Sequence, residues 1–389
     1  MSEGFLIKGG QVHDGGGGPA VQDDVRVRSG LIDRIEPGLP ADGDQIIDAS
    51  GLIVAPGLID LHTHVYGGMG IYSVDPDQVG LATGVTTLLD TGSAGALTYP
   101  TFHRYVMPQA REAVYALLNI SRIGVQGHPR VDPRIGDLWD INYIDVESAV
   151  ACIKQYPQRI VGTKVRLSAS LANNHPGNEQ AGLSSAVEAA DRTGLPCMVH
   201  HVGSNIPVGD MLAALRPGDI VTHMYHPQSD TGFSGPDHAP AKSMRQARDR
   251  GVIFDVGHGV GSFAWRVAEP ACQQHEFWPD TISTDIHRFN IDGPVYDMTT
   301  TMSKLFLLGM PLPHVIRAVT SEPARAMGIA DRCGRLLPGR SADITLLRIM
   351  DGQFMLTDVE GQTRLARQHF FPVRVFKDGL PFECNLTSQ

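Results

Sequence analysis

Eight short apolar runs, each followed by a helix-length segment, constrain the fold of this chain more than any other feature. Each run ends in polar or glycine residues, as LIVAPGLIDLHTH and VIFDVGHG do. The other six are TTLLDT, VYALLNIS, IVGTKVRLS, LPCMVHH, DIVTHMYH and TISTD. Apolar strands that alternate with helical stretches such as AVEAADRTG require a parallel sheet covered by helices. Eight of them predict an α/β chain with a distorted TIM (β/α)8 barrel, whose active site lies where the strands end.

Both ends of the chain have a different pattern. Before Leu52 and again after Arg335, apolar and polar residues alternate in short pieces that Gly, Asp or Pro separates. This alternation is typical of antiparallel hairpins. We therefore predict a barrel over residues 55–334 and one small β domain, a β-sandwich, built from residues 1–54 and 335–389.

The composition excludes several classes of protein. With 32 Lys and Arg against 42 Asp and Glu, the formal charge is -10, and no basic cluster suits a nucleic acid or an anionic membrane. The N-terminus lacks a basic start followed by an apolar stretch, and no apolar run approaches the roughly 18 residues that span a bilayer. Five scattered cysteines without a C-x-x-C pair indicate neither a disulfide framework nor a thiolate zinc site. We expect a cytoplasmic protein with a small-molecule substrate, and neither a nucleic acid nor a membrane as partner.

Residues that can bind a metal ion gather at the ends of the predicted strands. His62 and His64 lie two residues apart, so their side chains point to the same face of a strand and can bind one ion. Alone, this pair is equally compatible with two hydrogen-bonded histidines of a barrel. Other strands, however, end in Lys164, in His200 with His201, in His223 and in Asp285. Because histidines with only a packing role have no reason to gather at one rim, the set predicts a metal centre.

Lys164 is the unusual member of this set, since a positive charge beside divalent cations is strongly disfavoured. A lysine that is held neutral can react with carbon dioxide, and the resulting carbamate is an anionic ligand able to bridge two metal ions. The alternative is an ammonium group that reaches solvent or pairs with Asp137 or Asp140. The residues alone leave both interpretations open.

The order of these residues resembles that of the amidohydrolase superfamily of metal-dependent hydrolases. Residues 55–64, APGLIDLHTH, are similar to its opening motif, and residues 334–343 to its return into a β domain. Between them, GTKVRLS, MVHH, IVTHMYH and STDIH follow in the order of that superfamily. The stretches DTGSAG, DVGHGVGSF and TTTMSKL resemble the amidohydrolase/deacetylase branch, often labelled dihydroorotase-like. The resemblance covers nearly the whole chain.

The resemblance implies a binuclear centre, most simply with two zinc ions, although manganese or another divalent ion suits such ligands too. The implied ligands are His62, His64 and Asp285 for the more buried ion, His200 or His201 with His223 for the more exposed ion, and carboxylated Lys164 with a hydroxide as bridges. His200 and His201 must point to opposite faces of a strand. Counting along the strand favours His200, which we take as the ligand, whereas the following Val-Gly pair favours His201. Asp285 would act first as a base and then as an acid.

Four further residues are candidates for substrate binding, namely His201, His258, Arg166 and Tyr66. Arg166 faces the same side as Lys164, where it could bind a substrate carboxylate or form an ordinary salt bridge at the rim. His258, in a glycine-rich turn, could contact the substrate or only the backbone of its own loop. Tyr66 follows the first ligand pair, and we expect it to line the mouth of the site.

Four functions compete at this point. We favour an acyl hydrolase, a deacetylase of N-acyl amino acids or O-acyl 2-hydroxy acids. A cyclic-amide hydrolase such as a dihydroorotase or hydantoinase is the alternative, but dihydroorotases typically place an arginine where this chain has Tyr66. A nucleobase deaminase generally has a glutamate shortly after the strand-five histidine, where this chain has Val202, Gly203 and Ser204. A non-catalytic scaffold usually loses ligands, and here every ligand position is filled. The resemblance is also compatible with a homo-oligomer.

Overall fold

We describe the protein from a computed structural model, which defines residues 4–68, 70–125, 132, 134–235 and 237–385. Within these residues the strands are β1 (Phe5–Val12), β2 (Val21–Arg28), β3 (Leu31–Glu36), β4 (Gln45–Asp48), β5 (Ile53–Pro56), β6 (Leu58–Thr63), β7 (Val85–Gly95), β8 (Ala113–Asn119), β9 (Ile160–Leu167), β10 (Cys197–His201), β11 (Ile220–Thr222), β12 (Phe233–Ser234), β13 (Ala239–Pro240), β14 (Ile253–Phe254), β15 (Ile344–Thr357), β16 (Thr363–Lys377) and β17 (Leu380–Glu383).

The α-helices of the same residues are α1 (Pro76–Val79), α2 (Tyr99–Tyr105), α3 (Val146–Gln155), α4 (Pro176–Thr193), α5 (Val208–Ala213), α6 (Lys242–Asp249), α7 (Trp265–Gln273), α8 (Met298–Leu307), α9 (Leu312–Ala318) and α10 (Ser321–Ala326). Short turns of 3-10 helix lie at Leu81–Thr83, Met107–Gln109, Ile141–Tyr143 and Ala169–Ala172. None of the helices in the described ranges combines the length and the apolar character that crossing a bilayer requires.

Seven parallel strands form one curled sheet in the order β6-β7-β8-β9-β10-β11-β14. Residues 281–286 lie between its two edge strands. Isolated bridges join Asp255, just after β14, to Thr281, and Thr63, at the end of β6, to Ile286. The eighth predicted strand is thus an irregular segment that connects both edges, and the fold is TIM-barrel-like. Its strand ends form the single rim that the sequence predicts.

Strands from both ends of the chain form a second sheet, in the order β17-β16-β15-β5-β1-β2-β3 with β4 paired to β1 as a branch. The two ends meet where β5 pairs antiparallel with β15 and Val54 lies opposite Leu346. A separate hydrophobic core, which includes Phe5, Val25 and Phe376, belongs to this sheet. Hydrogen bonds join all eight strands in one branched sheet, so the predicted sandwich is not confirmed. The predicted boundaries at 54/55 and 334/335 stay predictions.

Helices pack their apolar faces against the parallel sheet, as α4 illustrates. Leu183, Ala186 and Ala190 recur on one face of α4 and are buried. Proline occupies the first turn, and Gly194 ends the helix in the left-handed conformation, with φ 67°. A Cβ added at Gly182 would lie 2.8 Å from Leu138 Cδ1, so a larger residue at this position would require Leu138 to move. This packing fixes α4 against β9, the strand that carries Lys164.

Candidate metal centre

The predicted ligands lie together at the carboxyl ends of the parallel strands. They come from β6 and the residues just after it (His62, His64), from β9 (Lys164), from β10 (His200), from the residue after β11 (His223) and from the 281–286 segment (Asp285). All are buried except His200, which is partly exposed. Carboxyl ends of barrel strands are where active sites lie in this class of fold. The structure therefore brings the whole set to one place.

The two histidines of the H-x-H pair face one carboxylate. Asp285 Oδ1 lies 3.3 Å from His62 Nε2 and 3.2 Å from His64 Nε2. No described residue forms a hydrogen bond with this buried oxygen. One potential ligand atom each of His62, His223 and Asp285 lie within 4.8 Å of one another. The polar atoms converge on a common point, as metal ligands do.

The neighbours of His62 determine which of its ring nitrogens carries the proton. His62 Nδ1 lies 2.9 Å from Thr222 Oγ1. Thr222 donates its single hydroxyl proton to Asp255 at 2.7 Å, so His62 Nδ1 must be the donor to Thr222. Burial holds the pKa of His62 well below its ordinary value, so the ring is neutral and Nε2 presents a lone pair. A lone pair and a carboxylate oxygen 3.3 Å apart repel each other unless a cation lies between them, and the donor set therefore fits a metal ion.

His223 and His64, like His62, direct Nδ1 at a polar group of the protein. His223 Nδ1 lies 2.6 Å from the carbonyl oxygen of Gly257, which can only accept, so the lone pair of His223 is on Nε2. Burial lowers the pKa of His223 to about 3, and the ring is neutral. His64 Nδ1 lies 2.8 Å from Ser93 Oγ. Contacts of this kind orient metal-binding imidazoles.

The two consecutive histidines of β10 face opposite sides of the strand, as alternation requires. The ring of His200 lies 4.4 Å from that of His223, which lies 4.9 Å from that of His62. His201 points the other way, and its Nδ1 lies 3.6 Å from Asp230 Oδ2. The geometry thus puts His200 with the other candidate ligands. His201, predicted as a substrate contact, lies outside this cluster.

Lys164 is fully buried beside His62. Its Nζ lies 3.5 Å from His62 Nε2 and 3.3 Å from Met198 Sδ. Burial lowers the pKa of Lys164 to about 7, which makes the neutral amine accessible near neutral pH. The alternative interpretation of a solvated ammonium is wrong, because the side chain does not reach solvent. Asp137, considered as its partner, binds a different residue.

Two candidate ligands have an uncommon backbone conformation. His223 has φ 66° and Asp285 has φ 48°, a region that few residues other than glycine adopt. Beside them, a Cβ on Gly257 would lie 2.0 Å from Thr222 Oγ1 and 2.9 Å from His223 Nδ1. Strained conformations of this kind cluster at functional sites, where the surroundings hold them in place. The left-handed conformations of His223 and Asp285 therefore indicate a functional site at this rim.

Two acidic residues outside the predicted set support the centre. Asp255 accepts three hydroxyl hydrogen bonds of 2.7 Å each, from Thr222, Thr281 and Ser283. Asp60 accepts the backbone N–H of His62 at 3.2 Å, and burial raises the pKa of Asp60 to about 7. A charged residue inside an apolar run, in VIFDVG and in LIDLH, was the available signal. Such a residue must find buried donors, because an unpaired buried carboxylate is costly.

Arg166 forms a buried ion pair with Asp137. Its guanidinium makes two contacts of 2.6 Å with the two oxygens of Asp137. The side chains are 5% and 0% exposed. Nε and Nη2 of Arg166 therefore already bind a carboxylate of the protein, and the predicted contact with a substrate carboxylate stays a prediction. The structure contains the salt bridge that is the alternative interpretation of Arg166.

Asp137→Ala should lower the free energy of unfolding by about 3 kcal/mol, because it leaves the buried guanidinium of Arg166 without its carboxylate. Urea unfolding followed by circular dichroism measures the change. Asp132→Ala is the matched control, since Asp132 pairs with Arg134, whose side chain is 82% exposed, and we expect little change there. Equal unfolding midpoints in the two variants would contradict the prediction.

The polar groups of Tyr66 and His258 are used within the protein. Tyr66 is buried, and its hydroxyl donates to the carbonyl oxygen of Thr98 at 2.8 Å. His258 is fully buried, with Nε2 2.7 Å from Lys304 Nζ and Nδ1 2.9 Å from the carbonyl oxygen of Gly259. Burial lowers the pKa of Lys304 to about 7. His258 thus has the loop-supporting geometry of the second interpretation, and the substrate contacts of both residues stay predictions.

Known proteins resemble this chain over nearly its whole length. A family model described as the amidohydrolase family matches residues 53–234 and 271–369. A deacetylase of Agrobacterium fabrum is 35% identical over 88% of this chain and 82% of its own length. Among solved structures, an adenine deaminase superposes with a TM-score of 0.89 and 30% identity, covering 98% of this chain and 100% of its own. A dihydroorotase superposes with a TM-score of 0.86 and 29% identity, with the same coverage.

Proposed function

The chain belongs to the amidohydrolase family, and from this premise we propose that it is a metal-dependent deacetylase of N-acyl amino acids or O-acyl 2-hydroxy acids. One observation carries the metal dependence: the lone pair of His62 Nε2 faces Asp285 Oδ1 at 3.3 Å with no proton between them. The name of the Agrobacterium fabrum relative supports removal of an acyl group.

We assign two divalent ions, most simply zinc, to the centre. His62, His64 and Asp285 would hold the more buried ion, and His200 with His223 the more exposed one. Lys164 would bridge them as N6-carboxylysine: its neutral Nζ bonds to the carbon of carbon dioxide and loses one proton, which leaves an anionic carboxyl group. The burial of Lys164 and the lowered pKa of its amine support this assignment.

Asp285 is positioned to move a proton during hydrolysis. Ions held at this centre would lower the pKa of a water molecule and polarise the scissile carbonyl. Asp285 directs Oδ1 at the two histidines, and Oδ2 faces Gly259, where an added Cβ would lie only 2.5 Å from it. The carboxylate can take a proton as the nucleophile attacks and deliver it to the leaving nitrogen or oxygen. Asp285 is therefore first the base and then the acid.

Hydrolysis of a cyclic amide is the second candidate, because the solved dihydroorotase has a similar fold and sequence. The same ligands would serve both reactions, and the pocket decides between them. Tyr66 stands where dihydroorotases typically have an arginine, and its hydroxyl is already bonded to Thr98. This weakens the cyclic-amide alternative. Deamination is weaker still, since no acidic residue occupies positions 202–204.

A hydrolysis assay on zinc-loaded protein tests the proposal. The substrates are N-acetyl amino acids and O-acetyl 2-hydroxy acids of both hands, with dihydroorotate and hydantoins beside them. We expect turnover confined to the acetylated compounds, with a preference for one hand. Turnover of the cyclic compounds alone would replace this proposal by the second candidate. A protein that neither contains nor takes up a divalent ion would instead favour a scaffold.

A further inference from the structure

A second group of potential ligands lies behind the catalytic rim, on the side of β10 opposite His200. It consists of His201, His226 and Asp230, and one potential ligand atom of each lies within 4.8 Å of the others. The side chains are 2%, 4% and 13% exposed. None of the three is a ligand of the centre described above. The deacetylase reaction leaves this group without a role.

His201 presents a lone pair to Asp230. Its Nε2 lies 2.8 Å from the carbonyl oxygen of Ile206, which can only accept, so Nε2 carries the proton. In the neutral ring, Nδ1 therefore has the lone pair, and it lies 3.6 Å from Asp230 Oδ2. A metal-binding histidine usually donates its other ring N–H to a carbonyl or carboxylate group, as His201 does here.

His226 presents a second lone pair to the same carboxylate. Its Nδ1 accepts the backbone N–H of Gln228 at 3.3 Å, so this nitrogen is unprotonated. It lies 4.0 Å from Asp230 Oδ1. That oxygen is buried and has no hydrogen-bond partner among the described residues. Two imidazole lone pairs thus face a carboxylate with no proton assigned between them.

The spacing suits one ion of the zinc class. Ligands about 2.1 Å from one ion lie about 3.4 Å apart in a tetrahedral shell and at most about 4.2 Å apart in any shell. The distance from His201 Nδ1 to Asp230 Oδ2 is 3.6 Å and that from His226 Nδ1 to Asp230 Oδ1 is 4.0 Å, so both lie between these values. A cavity of about 20 Å³ is lined by His201 and His226 together with Met211 and Met224. This volume is enough for one water molecule beside the two imidazoles, although Asp230 is not part of its lining.

We propose that His201, His226 and Asp230 bind an additional divalent cation of the zinc class, separate from the catalytic centre. Two imidazoles and one carboxylate form a ligand set that such ions favour. The ion would join the carboxyl end of β10 to the loop after β11. These two segments carry His200 and His223, so the ion would fix the positions of these two catalytic ligands relative to each other. The competing arrangement is a protonated His201 paired with Asp230 and no ion.

Zinc content per chain tests the proposal on the full-length protein. Each variant is loaded with excess Zn²⁺, freed of unbound ion by gel filtration, and analysed by plasma mass spectrometry. We expect Asp230→Asn and His226→Gln to bind about one zinc ion fewer than the unmodified chain. Asp237→Asn is the matched control, because Asp237 Oδ2 lies 3.4 Å from His275 Nε2 in a histidine–carboxylate pair that belongs to neither ligand group. Equal zinc content in all four proteins would overturn the proposal.

Crystals of the unmodified chain give an independent measurement if the variants do not fold. An anomalous difference map recorded above the zinc edge should contain a peak between His201 Nδ1 and the carboxylate of Asp230. A map with zinc at the His62 centre and no peak beside His201 would equally overturn the proposal. Zinc at His201 is measured without any substrate. A negative result here would therefore leave the deacetylase assignment untouched, and failure of that assignment would leave this proposal untouched.

Discussion

Asp285→Asn should lower kcat by about a thousand-fold while the protein keeps nearly all its metal. An asparagine retains one oxygen to face His62 and His64, so the centre loses little affinity. Its amide group, however, cannot accept a proton, and the transfer to the leaving group fails. Steady-state kinetics on the acetylated substrate measure kcat, and metal analysis of the same sample measures the number of ions that the variant retains.

Asp297→Asn is the matched control for this variant. Asp297 is the N-cap of α8 and accepts the backbone N–H of Thr300 at 2.7 Å. Asparagine caps helices about as well as aspartate, so turnover should stay close to that of the unmodified chain. A near-normal kcat in Asp285→Asn would refute the role of Asp285 in proton transfer. Loss of both ions in that variant would show that Asp285 acts mainly as a ligand.

Lys164→Ala should lose metal and, with it, activity by at least about a thousand-fold, since the metal supplies several kcal/mol of transition-state stabilisation. Removing the side chain removes the bridging carboxyl group that we assign to it. Addition of acetate or propionate should restore part of the turnover and part of the metal content, because a short carboxylate can replace the missing oxygens. Kinetics across a concentration series of the acid measure this rescue.

The same acids should not restore activity to Lys304→Ala. Lys304 is a buried lysine whose pKa is also lowered to about 7, but its Nζ donates to the carbonyl oxygens of Pro294 and Thr357 at 2.8 and 2.7 Å. A carboxylate cannot replace those hydrogen bonds, since it can only accept. Rescue of both variants would mean that the acid stabilises the protein generally, and full activity in Lys164→Ala would exclude the bridge.

The sequence predicted which residues meet, because strand periodicity and chain order determine which side chains lie at the rim. His62 and His64 share a face by their spacing, and His200 is separated from His201 by the alternation of β10. Segment 281–286, which the sequence predicts as a strand, is irregular for a physical reason. Its polar residues bond to buried carboxylates, as Ser283 does to Asp255 at 2.7 Å, and these bonds take the place of a regular ladder.

The partners of individual polar groups could not be predicted in the same way. Arg166 has the correct position to bind a substrate carboxylate, but Asp137 lies 29 residues away in the chain, and only the folded structure places it against the guanidinium. The proton positions on His62 and His223 likewise depend on Thr222 and Gly257. Rotamers and hydrogen-bond direction decide such questions, and neither has a signature in the order of residues.

The pairing of β5 with β15 has a consequence for how the chain reaches its native state. Val54 and Leu346 lie opposite each other although they are far apart in the sequence, so β5 cannot pair along this edge until β15 has been synthesised. Contacts this distant in sequence form slowly, and the unpaired edge of β5 is exposed in the meantime. The C-terminal hairpin therefore sets the time at which the protein can complete folding, and a chain truncated before Ile344 would keep an edge open to aggregation.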